Sequence, residues 1–169
     1  MRRPLPLVLI ICALLAGCGE ARSHTTTSAV TSRTTTVTNP TAQLEQAVRA
    51  ALQANATVSD YVLEHNAIPA SASQSTDGPA LAGMRASAAQ RQTGHITVRV
   101  LSNSIQIRSI TLAPSYATAT AIATDISRVL PYRRGRALGK VVTSSEQTRF
   151  ELHRVDNTMS FVVWKVAPA

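Results

Sequence analysis

The chain has few cysteines, few aromatic residues and few acidic residues. Two of its 169 residues are cysteine, 4% are aromatic and nine are Asp or Glu. Both cysteines lie near the N-terminus, at Cys12 and Cys18, so the rest of the chain has no thiol for a disulfide bond, catalysis or a metal site. A glycine-rich phosphate loop, a Gly-x-Ser-x-Gly elbow and a His-Glu-x-x-His pair are also absent. No histidines have the spacing of metal ligands, and we expect neither a metal nor another cofactor.

The N-terminal residues have the parts of an export signal in the right order. Arg2 and Arg3 form a positive start, and an apolar stretch follows over residues 5–15. A membrane-spanning helix needs about 20 apolar residues, so this stretch is too short to remain as an anchor. It ends in the tetrapeptide Leu15-Ala16-Gly17-Cys18.

This ending resembles the lipobox of bacterial lipoproteins. The resemblance implies that residues 1–17 are a signal peptide and that Cys18 becomes the lipidated first residue, carrying acyl chains such as palmitate. Two acyl chains anchor a protein stably, whereas one binds only marginally. The resemblance therefore implies a lipid-anchored protein on the extracytoplasmic face of a cell membrane, with the membrane as its partner through Cys18.

Residues 18–39 form a separate segment between this cysteine and the rest of the chain. Its composition is dominated by Thr and Ser, with almost no bulky apolar residue. Such a segment cannot bury enough surface to offset its ordering entropy. We therefore predict a disordered tether, followed by a single domain over residues 40–169, a typical domain size.

The charge balance favours acidic partners. Loss of Arg2 and Arg3 with the signal peptide would leave 15 basic and nine acidic residues, a net charge of +6 with His neutral. Such a surface favours anionic headgroups, cell-wall polymers or an acidic envelope protein. Nucleic acid is not expected as a partner, because the basic residues are not interleaved with aromatic residues.

Two helices are predicted at the start of the domain. Asn39-Pro40 is a good helix start, and His65, Asn66 and Pro69 end the first helix. A loop over residues 70–78 leads to a second helix from Pro79 to about Gln92, which Gly94 closes. The apolar face of the first helix consists of Leu44, Val48, Ala51, Leu52, Val58 and Val62.

After Gly94 the apolar residues alternate, which predicts strands. The first covers residues 96–100, with a turn at 102–104 and a second strand over 105–112. A change of phase near Arg108 and Ser109 indicates a β-bulge. Further strands are predicted over residues 116–129, 150–155 and 161–166, the last two joined by a turn at 156–158.

The third predicted strand carries alanine at every second position, namely Ala117, Ala119, Ala121 and Ala123. Small residues on an inner face either let a helix approach closely or leave room for a ligand. We favour close helix packing and keep the ligand pocket as the alternative.

These elements predict an α+β fold in which two N-terminal helices pack on a curved antiparallel sheet. The long first helix, the ATATAIATDI strand and the closing FELHRVDNTMSFVVWKV hairpin resemble the nuclear transport factor 2-like (SnoaL-like) superfamily. The resemblance implies a cone-shaped fold with a possible pocket between helices and sheet. A cystatin-like fold is the alternative.

The resemblance also implies one pair of candidate catalytic residues. Enzymes of that superfamily commonly place Asp and His in the pocket as an acid–base pair, and the candidates here are Asp125 and His153. Each also has a structural explanation, since Asp125 can end its strand and His153 can face solvent. Whether the protein is an enzyme stays open, with a non-catalytic role favoured.

A basic segment provides the other candidate site. Around Pro131 and Gly135 the chain is predicted to form a basic loop between two strands. We hypothesise that this loop contacts an anionic surface; a solvated loop is the alternative. Its basic residues are Arg128, Arg133, Arg134, Arg136 and Lys140.

The sequence as a whole indicates a membrane-anchored binding or accessory module of the cell envelope. The alternative is a small-molecule enzyme of the SnoaL-like type that uses Asp125 and His153.

The lipobox leads to a direct prediction. Cys18→Ala should abolish incorporation of labelled palmitate, because the acceptor thiol is lost, and should leave the circular dichroism of the domain after Asn39 unchanged. Labelling that persists in the variant would contradict the assignment.

Overall fold

A computed structural model describes residues 39–169. The predicted signal peptide, the lipidation site Cys18 and nearly all of the predicted tether lie outside these residues. The elements in chain order are helices α1 (Pro40–His65) and α2 (Gly78–Thr93), then strands β1 (Ile96–Leu112), β2 (Thr118–Arg133), β3 (Arg136–Ala137), β4 (Val142–Arg154) and β5 (Phe161–Pro168). No helix within this part of the chain is long and apolar enough to cross a membrane.

The first helix has the predicted ends. The Asn39 side chain accepts a hydrogen bond from the Thr41 backbone N–H at 3.0 Å, and Pro40 occupies the first turn, where no backbone donor is needed. Asn66 ends the helix in the left-handed conformation, with φ 50°. The predicted inward face is also confirmed, since all six of its apolar residues are buried.

The second helix begins one residue before the predicted position, at Gly78. This glycine has φ +52°, and a Cβ there would lie 2.5 Å from the Trp164 ring. The close approach of the ring and the left-handed backbone both require glycine. The segment predicted as a loop before it also contains a short 3-10 helix, Ala70–Gln74. At the far end Gly94 closes α2 with φ −74°, and His95 takes the positive φ instead.

The strands form an antiparallel sheet in the order β1-β2-β4-β5. The short β3 pairs with the last two residues of β2, past the point where the pairing of β2 with β4 ends. The predicted α+β class is confirmed. The predicted bulge is confirmed as well, because the register shifts between Ile107 and Ser109 and leaves Arg108 without a partner.

The turn predicted at residues 102–104 is wrong. β1 runs unbroken through these residues, and a second register shift between Val100 and Ser102 leaves Leu101 as the extra residue. Polar residues on both faces here suggested a turn, but pairing with β2 keeps the backbone extended. The predictions were also too short for β2, which continues to Arg133, and for β4, which begins at Val142.

The alanine positions of β2 are buried in the core. Ala119, Ala121 and Ala123 are at most 3% exposed and share one core cluster with α1 residues such as Leu52. Side chains of α1 thus pack in the same core as these three alanines, and the close approach of a helix to them stays a prediction. Ala117 is exposed and precedes the strand.

A second core cluster lies between the later half of α1 and α2. It contains Val58 and Val62 of α1 with Leu81 and Ala88 of α2. One helix, α1, therefore contributes to both clusters, first over the sheet and then against α2.

Candidate functional site

A network around Asn66 joins the ends of α1 and α2 to the start of β1. The Asn66 side chain is buried; its Nδ2 donates to the Ile96 carbonyl at 2.6 Å, and its Oδ1 accepts from Arg91 Nε at 2.8 Å. Arg91 Nη2 also donates to the Val62 carbonyl at 3.0 Å, and Gln92 Nε2 donates to the Asn66 carbonyl at 2.8 Å. These bonds add donors to the carbonyls of Val62 and of the cap residue Asn66, and they hold three elements at a common corner.

A partly enclosed recess lies between these three elements and the later strands. It has a volume of about 400 Å³, within the range of small-molecule sites. Its wall takes residues from both core clusters, among them Val62 and Met84 from the helix pair and Phe150 and Ile105 from the sheet. The buried alanines of β2 are not part of its wall. The cavity therefore begins where the alanine run ends, at Asp125.

The inner face of the sheet changes from apolar to polar at this point. Along β2, Asp125 follows the three buried alanines at the same alternation, and it pairs directly with Glu146 of β4. Asn103 lies near the middle of β1, two positions before Ile105, the partner of Asp125. All three polar residues line the cavity.

One residue of α1 completes the polar end. Asp60 accepts a hydrogen bond from Asn103 Nδ2 at 2.8 Å, which links helix and sheet beside the cavity. Asn103 Oδ1 and Asp125 Oδ1 are buried and have no hydrogen-bond partner among residues 39–169. An unpaired buried acceptor is costly, and such groups concentrate at functional sites.

The carboxylates at this end are shifted toward the protonated form. Burial raises the pKa of Asp125, and the negative charges of Asp60 and Glu146 raise it further. Burial also raises the pKa of Asp60; the hydrogen bond from Asn103 opposes this, and Glu64 adds to it. Within residues 39–169 the only ion pair joins Lys165 Nζ to Glu151 Oε1, at 3.2 Å. It does not involve the cavity carboxylates, so their charge is not compensated there.

The structure does not bring Asp125 and His153 together. His153 pairs with Thr118, seven residues from Asp125 along β2, which corresponds to about 23 Å of strand. The odd separation also places them on opposite faces of the sheet. His153 stacks on Trp164 with ring centroids 4.6 Å apart and planes 11° apart. The histidine thus lies on the outer face, away from the cavity.

The basic segment forms a hairpin at one end of the sheet. Arg133 closes β2, Arg134 and Gly135 turn the chain with positive φ, and Arg136 opens β3. Arg128 lies earlier in β2, on the face opposite Asp125, and Lys140 follows β3. All five predicted basic residues are exposed, and none belongs to the one described ion pair.

Several residues of the cavity were not anticipated from the sequence. Asp60, Asn103 and Glu146 were missed, and so was the role of Arg91. The available signal was a polar residue at a position where the apolar alternation of a strand required an apolar one, as at Asn103 before Ile105 and Ile107. No group of three or more His, Cys, Asp or Glu in the described residues is arranged to hold a metal ion.

No family model and no curated protein matches this chain. Among solved structures, it is similar to the crystal structure of the intermembrane space region of chloroplast protein ARC6. The TM-score is 0.60, with 12% sequence identity over 73% of this chain and 94% of that one. At this identity the likeness concerns the fold alone.

The raised pKa of Asp125 predicts a pH-dependent stability. In the unfolded chain this carboxyl titrates near its ordinary value of 3.8, whereas the folded chain holds the proton to higher pH. Folding therefore gains stability as pH falls from neutral toward that ordinary value and loses it as pH rises. Asp125→Asn should raise the urea midpoint at neutral pH and have a smaller effect under acidic conditions.

The matched control is Asp156→Asn, the same chemical change in the exposed turn between β4 and β5. It should leave the pH dependence of the wild type unchanged. Equal effects of the two substitutions at every pH would contradict the assigned burial cost.

The basic hairpin predicts binding to anionic vesicles. Each Lys or Arg near such a surface contributes about 1 kcal/mol, so Arg133→Ala/Arg136→Ala should weaken binding about 30-fold. Sedimentation with phosphatidylglycerol vesicles measures this, using the chain from residue 18 onward, which Cys18→Ala leaves unlipidated. Arg49→Ala/Arg85→Ala removes the same charge from exposed positions of the two helices and should have little effect. If both double variants bind like the parent, the hairpin does not contact the surface.

Proposed function

We propose that this protein is a lipid-anchored, non-catalytic binding module on the extracytoplasmic face of a cell membrane. The observation that supports binding is the cavity between α1, α2 and the inner face of the sheet, with its apolar wall and polar end. Sites for small molecules commonly have this combination of apolar lining and a few placed polar groups. The lipid anchor rests on the lipobox at Cys18.

The separation of Asp125 from His153 favours this role over the enzymatic alternative. An acid–base pair needs both groups within hydrogen-bond reach of one substrate, directly or through one water. His153 lies on the outer face beside Trp164, and Asp125 lines the cavity on the inner face. Asp125 and His153 therefore cannot act together on one substrate, and this counts against the SnoaL-like enzyme.

The proposal includes the finer fold assignment, a cone-shaped arrangement of the nuclear transport factor 2-like type rather than the cystatin-like alternative. Support comes from the bulged first strand and from a cavity enclosed between two helices and the inner face of the sheet. The exposed basic hairpin gives the anchored module a second surface, suited to anionic headgroups or an acidic envelope protein.

Blocking the cavity tests the binding role. Apart from its chain neighbours and the nearby backbone of α2, no atom of the described residues lies within 4 Å of a Cβ built on Gly83, which lines the cavity. A larger side chain can therefore be placed there without a clash at its base. Gly83→Leu should abolish binding of small amphiphilic probes, measured by ligand-observed NMR. Ala82→Leu adds a leucine at the adjacent exposed position of the same helix and should retain binding.

The binding role would be wrong if no probe, whether cationic, neutral or anionic, bound the wild type more tightly than Gly83→Leu. Circular dichroism of both leucine variants shows that the comparison concerns folded proteins.

A further inference from the structure

The described part of the chain separates its charges in an unusual way for a basic protein. It contains 13 Lys and Arg against eight Asp and Glu, yet three of the eight acidic residues lie close together at the cavity. Asp125 and Glu146 are direct cross-strand partners, and Asp60 of α1 is near enough for its charge to raise the pKa of Asp125. Like charges directly opposite in a sheet are destabilising.

The cavity adds an independent reason to connect these residues with a ligand. Asp125, Glu146 and Asn103 are part of its wall, so the excess negative charge lies against an open recess of about 400 Å³. The side-chain oxygens at this end are acceptors, and one oxygen each of Asn103 and Asp125 has no donor. A site with several acceptors and no ion-paired cation from residues 39–169 fits a ligand that supplies hydrogen-bond donors and positive charge.

The one cationic residue on the described wall is engaged elsewhere. Arg91 lines the cavity, but its guanidinium donates to Asn66 Oδ1, to the Val62 carbonyl and to Ser87 Oγ. These three bonds hold Arg91 at the corner between α1 and α2. It forms no ion pair with Asp125 or Glu146 in the described chain.

The apolar part of the wall determines what else the ligand carries. Met84 and Ala80 of α2 line the recess together with Phe150 and Ile105 of the sheet. This apolar surface suits a hydrocarbon or aromatic group of modest size. Acceptors at one end and apolar surface at the other match an amphiphilic organic cation.

We propose that the cavity binds an organic cation, an alkyl- or arylalkylammonium or a guanidinium compound, whose charged head lies against Asp125 and Glu146. This inference depends on the proposed binding role and specifies its ligand class. The charged head would supply the donors that Asn103 and Asp125 lack, and the apolar tail would lie between α2 and Phe150.

Three matched probes test the inference: phenylpropylammonium, phenylpropanol and phenylpropanoate, which share a tail and differ in the head. They are titrated by NMR into the chain from residue 18 onward carrying Cys18→Ala. Phenylpropylammonium should bind at least about tenfold more tightly than phenylpropanol, with phenylpropanoate weakest. Asp125→Asn should remove the preference for the ammonium, and Asp156→Asn, with the same loss of charge in an exposed turn, should preserve it.

Glu146→Gln supplies a second variant, at an exposed position where misfolding is not expected. It should weaken the ammonium probe and leave phenylpropanol unchanged. If the neutral or anionic probe binds as tightly as the ammonium and Gly83→Leu blocks it, the ligand class is wrong and the binding role stands. If no probe is sensitive to Gly83→Leu, both are wrong. A metal ion is the remaining alternative. If calcium or magnesium chloride alone raises the melting temperature of the wild type but not of Asp125→Asn, the site binds a metal ion and the organic cation is wrong.

Discussion

The buried amide of Asn66 is the contact on which the arrangement of the cavity depends. It ends α1 in a left-handed conformation, donates to the first residue of β1 and accepts from Arg91 of α2. A buried amide without these partners would be costly, so the three elements are held in mutual positions that satisfy it. The same three elements form much of the cavity wall. The network thereby links the capping of one helix to the shape of a binding site.

The domain has two charged regions of opposite sign. The carboxylates of Asp125 and Glu146 line the cavity with Asp60 beside them, and the hairpin arginines lie where β2 and β3 meet. Burial and mutual repulsion raise the pKa of Asp125, which is a cost in stability that the fold retains. In an anchored protein, the proposed functions assign the two charged regions to different partners, an anionic surface for the hairpin and a small cation for the cavity.

Local sequence patterns predicted correctly those features that depend on neighbouring residues. The cap at Asn39, the apolar face of α1 and the bulge at Arg108 follow from residue preference and periodicity, and all three are confirmed. Prediction was wrong at residues 102–104 and too short at the start of β4, where polar residues gave no alternation. There the strands exist because a long partner, β2, supplies the backbone hydrogen bonds. Pairing of this kind cannot be inferred from one segment alone.

The sequence by itself determined the α+β class, the bounds of the first helix and the basic character of the hairpin, because these depend on residues close together in the chain. Only the tertiary structure decided which candidate residues meet. Strand register placed Asp125 opposite Glu146 and His153 against Trp164 on the other face. The passage of α1 over β1 brought Asp60 to Asn103, 43 residues away. Strand register and helix position are set by packing between segments that are distant in the chain. The periodicity of a single segment gives no information about that packing.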